Sequence, residues 1–546
     1  MIKETWHYTW PEYIAALLKK ADMEYNSALF FVFLFLFLCV YFVIRNPKIK
    51  KRWILAGNLG FYLWSGWAAL AIVGATSAVI FWATGRIGKV YRGFEEEKQG
   101  LSPKEQAALL GNYKKRAKKY LLGALFLTLG IWIFVKIGRL AGFEQVKTFG
   151  EVLKEKGIIV PLGISYYSLS AVGYILDVYW RKAKAERNFL DLFTAMTYFP
   201  HIVQGPISKY GDLLQQMKEL PPFQYGRVCL GLQLMLWGYI KKMIVADRLV
   251  LYTSAVFGAP ADFAGVEIFL AVILCVLQLY ADFSGCMDIV RGISQAMGIE
   301  LAENFRQPLF AGSAQEFWAR WHITLGAWSK EYIYLPIAMN PRFARLTSRM
   351  KKGGKRWLSS FIKAFCPLLA VWLFTGLWHG TGIDYLVWGL YWCGLMTVSK
   401  EAKPLFDRLI KLLKIDTGTK AYGTFRAFRT YLLFAAGRMF TAAGGLAGCA
   451  LLWRRMFAQS RLWALFDGSL YAHGLDQKDF YIAVFGVILI LFIDLLHERG
   501  VAVRERIGRQ KLFVRWVFYY GALVSLLILG IYGPGFDAAS FVYGAF

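Results

Sequence analysis

Paired cysteines and nucleotide-binding loops are both missing from this sequence. The 546 residues include seven cysteines, which lie singly in apolar stretches and form no CxxC pair, so neither a zinc site nor a disulfide framework is expected. Cysteine catalysis is disfavoured too, because apolar burial raises the pKa of a thiol. The chain has no GxxxxGKS or GxxxxGKT loop and no internal repeat of fixed period. These absences argue against an ATP-driven pump and against the inverted repeats of many secondary transporters.

Long parts of the chain also lack charge, and this absence predicts a membrane protein. The sequence is 57% hydrophobic and 17% aromatic, which is more apolar surface than a soluble core of this size buries. A spanning helix needs roughly 20 residues. Ten uncharged stretches have or approach this length, and the shorter ones can span the membrane when flanking charged residues reach the interface. These stretches are Asn26–Ile44, Trp53–Gly85, Tyr120–Val135, Gly157–Leu176, Ile268–Ala281, Ala364–Ile383, Tyr385–Ser399, Met439–Trp453, Tyr481–Ile493 and Val517–Phe536. We predict an all-α polytopic membrane protein with roughly 11–13 transmembrane or re-entrant helices.

The formal charge of +28 comes largely from basic residues in short loops between apolar runs. These loops are Arg45–Arg52, Arg86–Lys119, Arg181–Arg187, Arg342–Arg356, Lys400–Arg429 and Arg499–Arg515. The positive-inside rule places them on the cytoplasmic face, so nucleic acid is not the expected partner. A basic face also attracts anionic lipid headgroups or a phosphate-bearing donor. For any one loop, topology alone is the simpler explanation.

No long linker divides the chain. Residues 1–24 are polar and amphipathic and read as an N-terminal interfacial segment rather than a signal peptide. Residues 25–546 read as a single transmembrane domain.

Two of the six histidines stand in Trp-His pairs within apolar surroundings, at His322 and His379. An ionisable side chain in a membrane segment is costly and indicates a functional site, and imidazole is the usual proton acceptor near neutral pH. On a continuous helix, Trp318, His322 and Leu325 share a face, so His322 is expected to point inward. A packing role remains the more frequent one for such a histidine.

At two further places polar residues interrupt apolar sequence, and both are candidate parts of a functional site. The segment Tyr198–Ile207, which contains Gln204, carries two prolines and a glycine, and such a break at membrane depth is tolerated only inside protein or along a cavity. Around Asp282, polar residues either line a polar interior or pair locally, with Asp288 and Arg291 on one helical face as the favoured pair.

These segments together resemble the membrane-bound O-acyltransferase (MBOAT) family, in the bacterial branch that includes the membrane proteins of alginate O-acetylation and of teichoic-acid D-alanylation. The resemblance runs in chain order through a catalytic core of about residues 50–400, whereas residues 401–546 are recognisable only as further apolar helices. The segments that carry it are Pro161–Tyr167, Phe199–Ile207, Asp282–Gly285, Asn304–Pro336 and Trp378–Gly380.

The resemblance implies a ring of helices around a thinned central cavity, with a cytoplasmic and an extracellular funnel. It implies acyl transfer, most simply of acetyl, from a cytosolic thioester to a hydroxyl of an exported polymer, in the bacterial cytoplasmic (inner) membrane. No bound cofactor or metal is implied, because the donor, acetyl-CoA or an acyl carrier protein with phosphopantetheine, is a co-substrate. Expected partners are membrane lipids, the cytoplasmic donor and a separate extracytoplasmic SGNH-type transferase or esterase.

The resemblance also implies roles for particular residues. The family histidine that corresponds to His379 is catalytic, and the one that corresponds to His322 lies nearby in the central cavity. We predict that neutral His379 is the general base, a role worth about 10²–10⁴-fold in rate. His322 is predicted to orient the substrate or donate to the oxyanion. Substrate-binding or cavity-shaping roles are predicted for Asn304, Trp321, Trp378, Gln204 and Asp282.

Two alternatives stay open at this point. The first is D-alanyl transfer from a carrier protein to teichoic acid. The second, from a different class, is a transporter or flippase in which His322 and His379 form a proton relay, and it would leave the ordered series of motifs unexplained.

Overall fold

The computed structural model describes residues 25–136, 163–202, 204–380, 382–458 and 460–532. Throughout these residues the chain is helical, and one isolated bridge is the only β-type pairing, which confirms the predicted all-α class. The predicted interfacial segment 1–24 lies outside the described residues, as do parts of two predicted apolar stretches, at 157–162 and 533–536. The division into that segment and one transmembrane domain remains a prediction.

The chain folds into two compact units. The first contains the described residues up to Met235 together with Val290–Ala302. Its helices are α1 (Ala28–Val43), α2 (Pro47–Ser65), α3 (Trp67–Glu97), α4 (Pro103–Lys136), α5 (Ile164–Tyr179), α6 (Phe189–Met196), α7 (Phe199–Ile202), α8 (Tyr210–Lys218) and most of α9 (Tyr225–Tyr239). Within this unit, α3 packs on α4, and both pack on α5.

The second unit contains Leu236–Ile289 and Glu303–Tyr532. A π-helical turn, Ile240–Ala246, continues α9 directly into α10. The helices are α10 (Asp247–Gly258), most of α11 (Val266–Met297), α12 (Ala314–Arg320), α13 (Ile323–Ser329), α14 (Leu335–Ala338), α15 (Pro341–Lys352), α16 (Arg356–His379), α17 (Ile383–Glu401), α18 (Lys403–Leu412), α19 (Lys420–Ala442), α20 (Leu446–Ala458), α21 (Gln477–Glu498), α22 (Val503–Gly508) and α23 (Leu512–Leu529). A second π-helical turn, Lys330–Tyr334, joins α13 to α14.

Six helices in the described part of the chain are long and apolar enough to cross a membrane. They are Ala69–Glu97, Tyr225–Gly258, Val266–Met297, Arg356–His379, Gln477–Glu498 and Leu512–Leu529. Among the other predicted apolar stretches, Asn26–Ile44 falls on the shorter helix α1, which has 16 residues. Short apolar helices are the form expected where helices surround a polar centre.

Local sequence explains where several helices begin. The Ser27 hydroxyl accepts the Phe30 N–H at the start of α1, and the Asn46 side chain accepts the Lys48 N–H at the start of α2. These side chains satisfy amide groups that have no partner inside the helix. Pro47 occupies the first turn of α2, where its missing N–H costs nothing.

Glycines bring α16 and α17 into close contact in the second unit. A Cβ on Gly376 would lie 2.5 Å from the Tyr385 carbonyl oxygen, and one on Gly389 would lie 2.5 Å from the Trp372 carbonyl oxygen. Because only glycine permits this approach, the two helices are held at a fixed separation. Gly380, directly after α16, is covered by the Tyr385 ring, which a Cβ would meet at 2.2 Å. The sequence thus fixes the end of α16, where His379 lies.

Candidate active site

A crossing of two extended stretches places His322 in the second unit. Phe305 and Trp321 form an isolated antiparallel bridge. Beside it, the Ile323 N–H donates to the Asn304 carbonyl oxygen at 3.0 Å. These backbone hydrogen bonds take the place of helical ones, so α12 ends before the crossing and α13 begins after it.

His322 itself joins the two helices in a left-handed conformation, with φ 48° and ψ 50°. The prediction of one helix carrying Trp318, His322 and Leu325 on a shared face is therefore wrong, because pairing of Trp321 with the neighbouring stretch interrupts the helix. This backbone region costs a non-glycine residue about 1–2 kcal/mol. Strain of this kind concentrates at functional sites. The His322 side chain is nevertheless buried, as predicted.

The Asn304 side chain organises the residues around His322. Its Oδ1 accepts the Thr324 N–H at 3.0 Å and the Thr324 hydroxyl at 2.9 Å, and it lies 3.2 Å from His322 Nδ1. The Asn304 Nδ2 donates to the Met287 sulfur at 3.2 Å. Asn304 therefore ties His322 and the first turn of α13 to α11.

These contacts decide which nitrogen of His322 carries the proton. The backbone N–H of Thr324 is only a donor, so the Asn304 atom that it meets must be the carbonyl oxygen. His322 Nδ1 then has to donate, and in the neutral ring Nε2 carries the free lone pair. Nε2 is buried and has no hydrogen-bond partner among the described residues.

His379 is the last residue of α16, and its side chain is buried. The Trp388 ring, from α17, stands edge-on to the imidazole with centroids 5.3 Å apart. Trp378 also contacts the imidazole, with a centroid separation of 4.9 Å. Two indoles therefore fix the orientation of the His379 ring.

The two histidines lie together, as predicted. Their ring centroids are 6.4 Å apart and the rings are inclined at 60°. Trp378 also contacts His322, at 5.9 Å, so it borders both imidazoles. The two imidazoles are therefore close enough to act on one small reacting group, an arrangement suited to proton transfer.

Aromatic side chains form one wall beside the histidines. Trp321 is buried and packs against Phe305 and Phe434, each with a centroid separation of 5.0 Å. Sequence reasoning missed several residues of this neighbourhood: Phe283, Phe317, Trp388, Trp392 and Phe434. Phe283 stands edge-on to His322 at 4.9 Å, and its place next to Asp282 was the available signal. Phe317 lies on α12, four residues before Trp321. Trp388, Trp392 and Phe434 come from distant helices and leave no local pattern.

Asp282 is fully buried on α11 and bound in an ion pair. Its carboxylate lies 2.7 Å from the Lys242 ammonium, which also lies 2.9 Å from Asp247. Six residues further along α11, Asp288 pairs with Lys241 at 2.6 Å. The predicted role of Asp282 in substrate binding remains a prediction, and its visible role is to hold α11 against the π-helical turn.

Gln204 belongs to the first unit, where it is fully buried on the turn that follows α7. Its predicted contact with substrate also remains a prediction. Among the described residues, no group of three or more His, Cys, Asp or Glu side chains is arranged to hold a metal ion.

Comparison with known proteins bears on this site. Residues 181–349 match the model of MBOAT, the membrane-bound O-acyltransferase family. This range is an MBOAT domain. The domain includes Asn304 and His322, while His379 lies beyond its end.

Three curated relatives show how far the likeness extends. A probable alginate O-acetylase of Pseudomonas putida is 27% identical over 434 residues, which is 78% of this chain and 79% of the relative. A peptidoglycan O-acetyltransferase of Helicobacter pylori is 27% identical over 69% of this chain and 70% of the relative. A teichoic acid D-alanyltransferase of Bacillus subtilis is 27% identical over 43% of this chain and 58% of the relative. This MBOAT protein is accordingly a multi-pass membrane O-acyltransferase.

Proposed function

We propose that this MBOAT protein moves an acyl group, most simply acetyl, from a cytosolic thioester to a hydroxyl of an exported cell-surface polysaccharide or cell-wall polymer. The observation that carries the proposal is the buried pair of His322 and His379, 6.4 Å apart between ring centroids. Neutral imidazoles in an enclosed apolar site are suited to removing a hydroxyl proton during acyl transfer.

The mechanism assigns the proton transfer to His379. Its imidazole takes the proton of the acceptor hydroxyl while the oxygen attacks the thioester carbonyl carbon. The tetrahedral intermediate then collapses, the carbon–sulfur bond breaks, and the imidazolium returns the proton to the departing thiolate. The products are an ester and a free thiol, and His379 ends neutral, as it began.

His322 is assigned to substrate positioning. Two roles were predicted for it, orienting the substrate and donating to the oxyanion. With Nδ1 donating to Asn304, the neutral ring presents a lone pair at Nε2, so Nε2 can accept a hydrogen bond from the substrate but cannot donate one to it. Orientation of the acceptor hydroxyl, or of a group beside it, is the role that this tautomer supports.

Support for an acetyl donor and a glycan acceptor comes from the relatives. Likeness to the alginate and peptidoglycan O-acetylating proteins covers 78% and 69% of this chain, whereas likeness to the teichoic acid D-alanyltransferase covers 43%. We therefore place acetyl transfer ahead of D-alanyl transfer. Acetyl-CoA and a carrier-protein thioester are both retained as donors, and neither is a bound cofactor.

Delivery to the polymer completes the proposal. The chain works in the bacterial inner membrane, takes its donor from the cytoplasmic side and passes the acyl group to the polymer directly or through a separate SGNH-type transferase. The basic loops, which the positive-inside rule assigns to the cytoplasm, support this orientation.

The donor is tested with the purified protein in nanodiscs by following free thiol release from acetyl-CoA and from an acetylated carrier protein. Thiol release from acetyl-CoA supports the proposal as stated. Thiol release from the carrier protein alone means that the donor is a carrier-protein thioester. Transport of lipid or ions without thiol release from either donor, in the presence of a glycan acceptor, would contradict it.

A further inference from the structure

The helical hairpin of α3 and α4 in the first unit extends beyond the membrane. The helices have 31 and 34 residues, or about 46 and 51 Å at 1.5 Å per residue. The hydrocarbon core is about 30 Å thick. Each helix therefore has several turns in or beyond the headgroup layer.

Aromatic contacts between α3 and α4 mark where the hairpin leaves the hydrocarbon. Trp82 and Tyr120 meet edge to face at 5.6 Å, and Trp82 is 53% exposed. Tryptophan and tyrosine concentrate at this boundary. Nearer the tip, the rings of Phe94 and Tyr113 meet at a centroid separation of 5.9 Å. The two aromatic pairs therefore mark the two ends of one segment of the hairpin.

The surface between these aromatic pairs is basic. Its exposed cations, which we call the hairpin cations, are Arg86, Lys89 and Arg92 on α3 and Lys114, Lys115, Arg116, Lys118 and Lys119 on α4. Arg86 and Arg116 lie over aromatic rings, at 5.8 and 5.4 Å. None of the hairpin cations has a carboxylate partner among the described residues, whereas the acidic Glu95 and Glu97 nearer the tip are engaged by Arg181 and Tyr113.

We propose that the hairpin cations form a binding site for the phosphate headgroups of anionic phospholipids. The cations follow the exposed Trp82 directly, at the depth where lipid phosphates lie. A cluster of four to eight such residues beside a membrane helix binds anionic lipid, and each contributes about fivefold in affinity. A soluble acidic partner would not explain why the tip beyond Phe94 and Tyr113 is net acidic, with four glutamates and two lysines.

The test is lipid binding by native mass spectrometry of the full chain in mild detergent, with phosphatidylglycerol compared with phosphatidylcholine of the same acyl chains. The wild type should retain phosphatidylglycerol at least about tenfold more tightly, and salt should weaken the preference. The variant Lys114→Gln, Lys115→Gln, Lys118→Gln and Lys119→Gln should lose most of it.

A matched control changes four exposed cations of the second unit: Arg408→Gln, Lys411→Gln, Lys414→Gln and Lys420→Gln. This control has the same change in net charge and should keep the lipid preference. Equal binding of both lipids by the wild type would overturn the proposal, since the hairpin cations would then only set the orientation of the chain in the membrane. Equal loss in both variants, or displacement of the lipid by acetyl-CoA or an acidic protein, would overturn it as well. The readout is independent of acyl transfer.

Discussion

The imidazole Nδ1 of His322 lies 3.2 Å from the Asn304 Oδ1, which also accepts two hydrogen bonds from Thr324. This one relationship sets the tautomer of the ring and leaves a lone pair at Nε2. It also links a strained backbone residue to the stretch that interrupts its helix. The proposed chemistry of the second unit depends on it.

Asn304→Asp tests this relationship. A carboxylate still accepts both Thr324 hydrogen bonds, but its charge favours the imidazolium form and raises the pKa of His322. We expect acyl transfer to fall at lower pH and to recover as the pH rises, so the acidic limb of the rate profile moves upward. The measurement is turnover against pH beside the wild type. An unchanged profile with normal turnover would remove His322 from the mechanism.

The close contact of α16 and α17 predicts that Gly376→Ala is damaging. The new Cβ would lie 2.5 Å from the Tyr385 carbonyl oxygen, so the helices must separate and His379 must move. We expect a loss of about 1–3 kcal/mol in unfolding free energy together with reduced turnover. Gly394→Ala on α17 is the control, because no atom lies within 4 Å of its Cβ, and it should behave as the wild type.

Asp282→Asn separates two roles for that residue. The change leaves Lys242 with a single carboxylate partner in a buried site, so we expect lower thermal stability, which unfolding in detergent measures. The KM of the remaining folded protein should be unchanged. A raised KM at normal stability would instead support the substrate contact that the sequence predicts for Asp282.

The sequence pattern was sufficient for the helical class, and the nearness of His322 to His379 was implied by the family resemblance. Uncharged stretches mark the helices, and Trp-His pairs in apolar surroundings mark the histidines. It was not sufficient for the path of the chain at His322, because the bridge between Phe305 and Trp321 is a tertiary contact that overrides local helix propensity. The aromatic wall was missed for the same reason, since Phe434 reaches it from a distant helix.

The central claim is that His379 carries the acyl transfer, and the most direct test is turnover of the thioester donor by His379→Ala in nanodiscs. Membrane insertion and thermal stability should match those of the wild type. We expect the rate to fall about 10²–10⁴-fold, while His497→Ala, a histidine at the end of α21, keeps normal turnover. Normal turnover in a folded His379→Ala variant would contradict the claim.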